Sequence, residues 1–196
     1  METFTRWRSE TDAVTGMREY LAPETVEEVT GAIRFAVKWH GEQRRPTGAP
    51  YLEHLLEALE VLVRGAGVAD VDVLRAAVLH DVVEDTLCAL TEVEAVFGPR
   101  VAELVRWVTK PTAGPGADRQ QVKEDYLRGL ADAPRDAQLV KLADRASNVQ
   151  TLRNLAPAKQ RAYYAQTVRY VMPLAAREPW FARWYSDWQE SFADLA

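Results

Sequence analysis

The stretch LRAAVLHDVVEDT, residues 74–86, decides how this chain is read. Its first six residues are apolar apart from Arg75. Its last seven hold five polar or charged side chains, three of them carboxylates. At about 100° per residue, His80, Asp81, Glu84 and Asp85 share one arc of roughly 140°. Ala76, Val78, Leu79, Val82 and Val83 fill the remainder, so the spacing predicts a helix starting near Asp72 with one charged stripe. Unpaired carboxylates buried in such a helix would cost several kcal/mol each or take up protons. The stripe therefore faces solvent, basic side chains or a cation.

Helical periodicity extends over nearly the whole chain. Apolar residues three and four apart mark a helix over 24–39, after Pro23, and another over 51–65, after Pro50. Two short helices meet at Gly98-Pro99, and further ones are expected near 118–132, 135–153, 157–177 and 179–194. The stretches GEQRRPTGAP (41–50) and PTAGPGAD (111–118) read as loops. No period-two strand and no strand–Gly-loop–helix unit is found, so the expected fold class is all-α.

A chain of 196 residues fits one domain with a substantial core. The net charge of -5 argues against a broad nucleic-acid surface, yet permits a local basic pocket. Cys88 is the only cysteine, which excludes an internal disulfide and fits a reducing cytoplasm. The first ten residues lack a signal-peptide core, and no apolar stretch is long enough to span a bilayer. The expectation is a soluble, cytoplasmic protein.

Three other places carry chemistry. In KLADRASN, residues 141–148, Lys141, Asp144, Arg145 and Asn148 lie within about 100° on a helix. An ordinary surface ion pair is the plain alternative there. His54, in YLEHLLEAL, is either a satisfied core histidine or a metal ligand. In RRPTGAPY, Arg44, Arg45 and Thr47 precede a helix start, a combination that suits a phosphate group or is merely a basic turn.

Taken together, His54, then His80-Asp81, then Asp144, each on its own helix, resemble the HD metal-dependent phosphohydrolases. The fuller set RRPTGAPYLEH, HDVVEDT and KLADRASN is similar to the hydrolase domain of the RelA/SpoT homologues, which degrade the alarmone (p)ppGpp. The resemblance runs over about 24–177 and implies a single HD hydrolase domain over 1–196, a stand-alone small alarmone hydrolase. It implies that His54, His80, Asp81 and Asp144 bind one manganese ion, Mn2+, a choice that an N2O2 ligand set agrees with. Glu84 and Asp85 match catalytic carboxylates. Arg44, Asn148 and Thr151 match nucleotide-holding positions, with Arg45, Thr47, Tyr51 and Lys159 as further substrate candidates. The implied reaction is attack of metal-activated water on the 3′-pyrophosphate, yielding pyrophosphate and GDP or GTP.

Leu55 replaces the usual Pro after the first histidine, and Thr47-Gly48-Ala49-Pro50 replaces a Ser-Gly-Glu-Pro loop. These departures bear on which nucleotide is preferred: ppApp, NADPH or a deoxynucleoside monophosphate are the alternatives. A different class of role is binding of a toxic small alarmone synthetase. The aromatic tail at 179–194 reads as a closing helix docked on the domain, with a homodimer or partner surface as the alternative.

Overall fold

The structure, a computed structural model, describes all 196 residues. Its α-helices are α1 (Glu10–Met17), α2 (Pro23–His40), α3 (Tyr51–Glu60), α4 (Val71–Leu79), α5 (Val82–Asp85) and α6 (Leu90–Phe97). They continue as α7 (Pro99–Val108), α8 (Arg119–Gly129), α9 (Arg135–Val149), α10 (Pro157–Gln166), α11 (Met172–Ala175) and α12 (Pro179–Ser191). The only extended pairing is an isolated bridge between Arg44 and Pro50, so the all-α expectation holds. No helix is long and apolar enough to cross a membrane.

Most boundaries follow the sequence signals. Pro23, Pro99, Pro157 and Pro179 each occupy a first helical turn, where a missing N–H costs nothing. Helix α1 went unpredicted, although Ser9 caps it by accepting from the Asp12 N–H, a start signal present in SETD. The expected continuous helix through residues 72–86 is a correction. Helix α4 stops at Leu79, His80 and Asp81 form a turn, and α5 is a single turn. Asp81 leaves helical geometry at φ −101°, ψ −4°, which changes the angular phase of everything after it.

One cluster of 50 buried apolar residues forms the core. At its centre α3 packs on α4 and α9, and α4 packs on α2, α7 and α9. Leu55, Leu56 and Leu59 of α3, Leu74 and Val78 of α4, and Leu142 and Ala143 of α9 are fully covered. Each buried leucine or valine contributes about 1.5–3 kcal/mol, enough to fix the three helices relative to one another.

Helix α12 closes the opposite side of α9. Phe181, Trp184, Tyr185 and Trp188 are buried, as is Phe192 just beyond the helix. Tyr185 donates to the Leu142 carbonyl at 2.7 Å and Trp188 Nε1 to the Val149 carbonyl at 3.0 Å. The aromatic face is therefore used within the chain, as the docked-helix reading expects. The first residues are tied to the same region: Gln150 accepts from the Phe4 N–H and donates to the Phe4 carbonyl. Close approach also demands Gly65, where a Cβ would lie 2.4 Å from the Trp180 ring.

Candidate active site

The three central helices converge on a group of polar atoms that the apolar core would otherwise reject. His54 comes from the second turn of α3, His80 and Asp81 from the turn after α4, and Asp144 from the middle of α9. His54 Nε2 lies 3.1 Å from His80 Nε2. Asp81 Oδ2 is 3.3 and 3.2 Å from these two nitrogens, and Asp144 Oδ1 is 3.4 and 3.5 Å from them. Both imidazoles are almost fully buried.

The outer ring nitrogens decide what the inner ones can do. His80 Nδ1 lies 2.7 Å from the Ala77 carbonyl, an acceptor, and so carries the proton. His54 Nδ1 lies 2.8 Å from Ser147 Oγ, whose own hydrogen bond runs to Glu57 Oε2 at 2.6 Å. Neutral imidazoles held this way present two lone pairs to each other and to two carboxylates. Such a set is stable only around a positive charge. Ligands about 2.1 Å from one divalent ion and at right angles lie about 3.0 Å apart, so these donors fit a cation with small adjustments. The clustering is tightest for His54, His80 and Asp81, whose donor atoms all lie within 4.8 Å of one another.

Protons fill the same need in the metal-free protein. Burial pushes His80 down, but the Asp81 charge and hydrogen bonds to Asp144 and Asp81 outweigh it and hold its pKa well above the ordinary value. Burial likewise opposes, and hydrogen bonds to Asp144 and Asp81 reverse, the shift of His54, which is raised overall. Burial raises Asp81 and Asp144, yet Asp81 falls well below the carboxylate range because of His80 and His54. Asp144 falls similarly, mainly through Lys141.

The two following carboxylates have different commitments. Glu84 accepts from the Lys110 backbone N–H at 2.8 Å and pairs with the Lys110 ammonium, so both its oxygens are engaged. Asp85 is exposed and holds one hydrogen bond, from the Tyr51 hydroxyl at 2.7 Å. The same hydroxyl lies 2.5 Å from Asp81 Oδ2. Tyr51 thus bridges the histidine–aspartate cluster and Asp85. Burial, with these two carboxylates, pushes its pKa far up, so the phenol keeps its proton.

A cavity of about 210 Å³ opens over this floor. Its lining is also basic: Lys110 just beyond α7, Lys123 from α8, and Lys141 and Arg145 from α9, together with Asn148, Tyr126 and Tyr163. Lys141 is paired with Asp144 at 2.7 Å. Arg145 is buried and its Nη1 has no partner within the protein. The Tyr163 ring lies 5.1 Å from the Arg145 guanidinium, 5.9 Å from Lys123 and 5.7 Å from Lys159. Burial and the neighbouring Arg145, Lys110 and Lys141 lower the pKa of Lys123. A second hollow continues from Glu84, Asp85, Lys110 and Lys123 along the 111–118 loop to Arg119.

The structure thus brings together His54, His80, Asp81, Asp144, Glu84, Asp85, Tyr51 and Asn148. Asn148 donates to Asp144 Oδ1 at 2.6 Å and so steadies that carboxylate. The structure does not place Arg44, Arg45, Thr47, Thr151 or Lys159 on the cavity lining. Arg44 folds back onto the Gly48 carbonyl, Thr47 is an exposed turn residue, and Thr151 is exposed after α9. Arg45 pairs with Glu57 at 2.9 Å. Lys159 stands beside Tyr163 at the margin. Lys110 and Lys123 carry no sequence signal, because Lys110 is a single lysine just past α7 and Lys123 a single lysine within α8, with no motif around either.

Comparison with known proteins agrees with this arrangement. The HD domain model matches residues 32–181. The chain therefore belongs to the HD-domain family. Human MESH1, a guanosine-3′,5′-bis(diphosphate) 3′-pyrophosphohydrolase, is 40% identical over 128 residues, 64% of this chain and 70% of its own. A probable enzyme of the same name from Mycoplasma pneumoniae is 33% identical over 86% of this chain. The chain spans only 24% of that relative's length. Among solved structures, a metazoan ortholog of SpoT that hydrolyses ppGpp superimposes with a TM-score of 0.74 at 28% identity, over 84% of this chain and 94% of its own.

Proposed function

We propose that this chain acts as one HD hydrolase domain that removes the 3′-pyrophosphate of (p)ppGpp, releasing pyrophosphate and GDP or GTP. His54, His80, Asp81 and Asp144 would hold one divalent ion, for which manganese suits the nitrogen–oxygen donor set. When bound, that ion supplies Lewis acidity toward water and phosphoryl oxygens. Asp85 is the proton acceptor, since it is exposed and singly bonded while Glu84 is engaged on both oxygens. It takes a proton from the attacking water as the new P–O bond forms and the bond from phosphorus to the ribose 3′-oxygen breaks. The 3′-oxygen leaves as the hydroxyl after taking up a proton from the open cleft.

The observation that carries this reading is the pairing of two opposite walls in one small cavity. A histidine–carboxylate floor faces a basic wall in which a buried guanidinium nitrogen lacks any partner. A buried donor left unpaired costs about 1–3 kcal/mol, which an anionic ligand recovers. Lys123 and Arg145, with Lys159 beside Tyr163 at the margin, are the nearby cations not already paired with a carboxylate and so the ones to hold phosphates. The similar proteins named above, which are described as guanosine-3′,5′-bis(diphosphate) 3′-pyrophosphohydrolases, support the same substrate.

The test is to incubate purified protein and Mn2+ with ppGpp, pppGpp, ppApp, NADPH and deoxynucleoside monophosphates, and to identify the products. Pyrophosphate released from ppGpp or pppGpp is the expected result. No pyrophosphate from any alarmone would overturn the proposal, and a product from NADPH or a monophosphate alone would reassign the substrate.

A further inference from the structure

Resting on the reading of His54 as a metal ligand, we infer that Arg45, Glu57 and Ser147 form a positioning relay that sets the tautomer of His54. Arg45 looks on sequence like a phosphate-binding side chain, and Ser147 carries no sequence signal of its own. In the structure they belong to one buried line of hydrogen bonds. Arg45 Nη1 donates to Glu57 Oε2 at 2.9 Å, Ser147 Oγ donates to the same oxygen at 2.6 Å, and Ser147 Oγ lies 2.8 Å from His54 Nδ1. Ser147 is fully buried, and Glu57 and His54 are nearly so.

The proton count along this line has one solution. A carboxylate that receives a guanidinium N–H accepts only, so the single Ser147 proton points to Glu57. The Ser147 oxygen is then left as an acceptor, and His54 Nδ1 must supply the hydrogen. That leaves the His54 Nε2 lone pair aimed at His80, Asp81 and Asp144. Ser147 reaches the His54 carbonyl only at 3.5 Å, too long to compete for the proton. Metal-ligating histidines are commonly fixed by such an outer partner, whose loss costs about 10–100-fold in metal affinity. Here a serine lies between the carboxylate and the imidazole, and the carboxylate's charge is balanced by Arg45. Arg45 therefore acts on the metal site from behind, on the side away from the cavity it does not line.

The test uses the full chain and metal alone. Calorimetric titration with Mn2+ should show Ser147→Ala binding about 10–100-fold more weakly than the wild type. Glu57→Gln removes the charge while its amide oxygen can still accept from Arg45 and Ser147, so it should lose less than Ser147→Ala. Three histidines in the chain make nitrogen-15 imidazole spectra assignable. With Zn2+ bound, the wild type should show a His54 Nδ1–H proton resonance shifted downfield and slow to exchange because it is hydrogen-bonded to Ser147, and in Ser147→Ala that resonance should move upfield or be lost to exchange. Circular dichroism confirms that each variant is folded. Equal Mn2+ affinity and an unchanged His54 spectrum in folded Ser147→Ala would overturn the relay. Because no nucleotide is present, this result stands apart from the substrate assay. A wild-type chain that binds no Mn2+ would instead remove the metal reading on which the relay rests.

Discussion

The two walls of the cavity are built on opposite principles. On the floor, most carboxylates are answered from within the chain: Asp144 by Lys141 and Asn148, Glu84 by Lys110, while Asp81 and Asp85 share the single proton of Tyr51. What the floor lacks is one positive charge among four donors. Half of the basic wall is the reverse. Lys110 and Lys141 are taken up by Glu84 and Asp144, but Arg145 has an unpaired buried nitrogen. Lys123 has no ion pair, and its pKa is held down by burial and by Arg145, Lys110, Lys141 and Lys159. A preorganised floor needs a small cation, and an unsatisfied wall needs an extended anion. Phosphate chemistry at a divalent ion meets both demands at once.

The contrast breaks most severely at Asp81. Asp81→Asn removes the charge closest to both Nε2 atoms, and metal-dependent turnover should be abolished with Mn2+ affinity greatly reduced by calorimetry. Wild-type turnover in this variant would remove Asp81 from the ligand set. Asp85→Asn is expected to come next. It leaves the ion in place, so the single-turnover rate should fall about 10²–10⁴-fold while Mn2+ affinity stays near that of the wild type. Loss of the metal in Asp85→Asn would mean the floor extends one turn further than its geometry indicates.

On the other wall, Arg145→Met should leave metal binding intact and weaken nucleotide. A charge-assisted hydrogen bond contributes about 1.5–3 kcal/mol, so affinity for a non-hydrolysable alarmone analogue should drop about 10–100-fold. Equilibrium binding measured with Mn2+ present checks this. An unchanged affinity would show that Nη1 makes no bond to the nucleotide.

The floor was far more legible in the sequence than the wall, for a physical reason. Donors that are to share one small ion must crowd together, and the proposed set does so: two are adjacent as His80-Asp81, and the others lie inside short segments around His54 and Asp144. A polyanion is several times longer, and its cations can be scattered. Lys110 lies two residues beyond α7 and Lys123 sits in α8, each without a neighbour in sequence to mark it. Arg44, Arg45 and Thr47 are the opposite case. Their composition suits phosphate, but the turn closed by the Arg45–Ala49 and Gly48–Arg45 backbone bonds directs Arg45 toward Glu57. The helices themselves were legible wherever proline or glycine punctuated them. The break at Asp81 was not, because no residue there forbids a continuing helix. The local bond from His80 to the Ala77 carbonyl, and the contacts of Asp81 with His54 and Tyr51 formed across the fold, accompany the turn.

The smallest expected effect is the most diagnostic for the wall, because two measurements must move in opposite directions. Burial and the cations Arg145, Lys110, Lys141 and Lys159 depress the pKa of Lys123 below the ordinary lysine value. For a lysine, a depressed folded-state pKa means that the charged form destabilises the fold. That penalty is fully present at neutral pH and is relieved as pH rises through the depressed value toward the unfolded one. Bound phosphate reverses the sign by stabilising the ammonium. Nucleotide affinity should therefore fall as pH rises through the depressed pKa of Lys123, earlier than an exposed lysine would allow. In Lys123→Gln that alkaline limb should flatten, and affinity at neutral pH should fall by about 3–10-fold, the scale of one hydrogen bond of about 1 kcal/mol. The same variant should raise the thermal midpoint of the free protein at neutral pH, because it removes a repelled charge. A lysine that served the fold would lower the midpoint when replaced, so a drop in both quantities would assign Lys123 to structure and leave Arg145 as the wall's principal anion site.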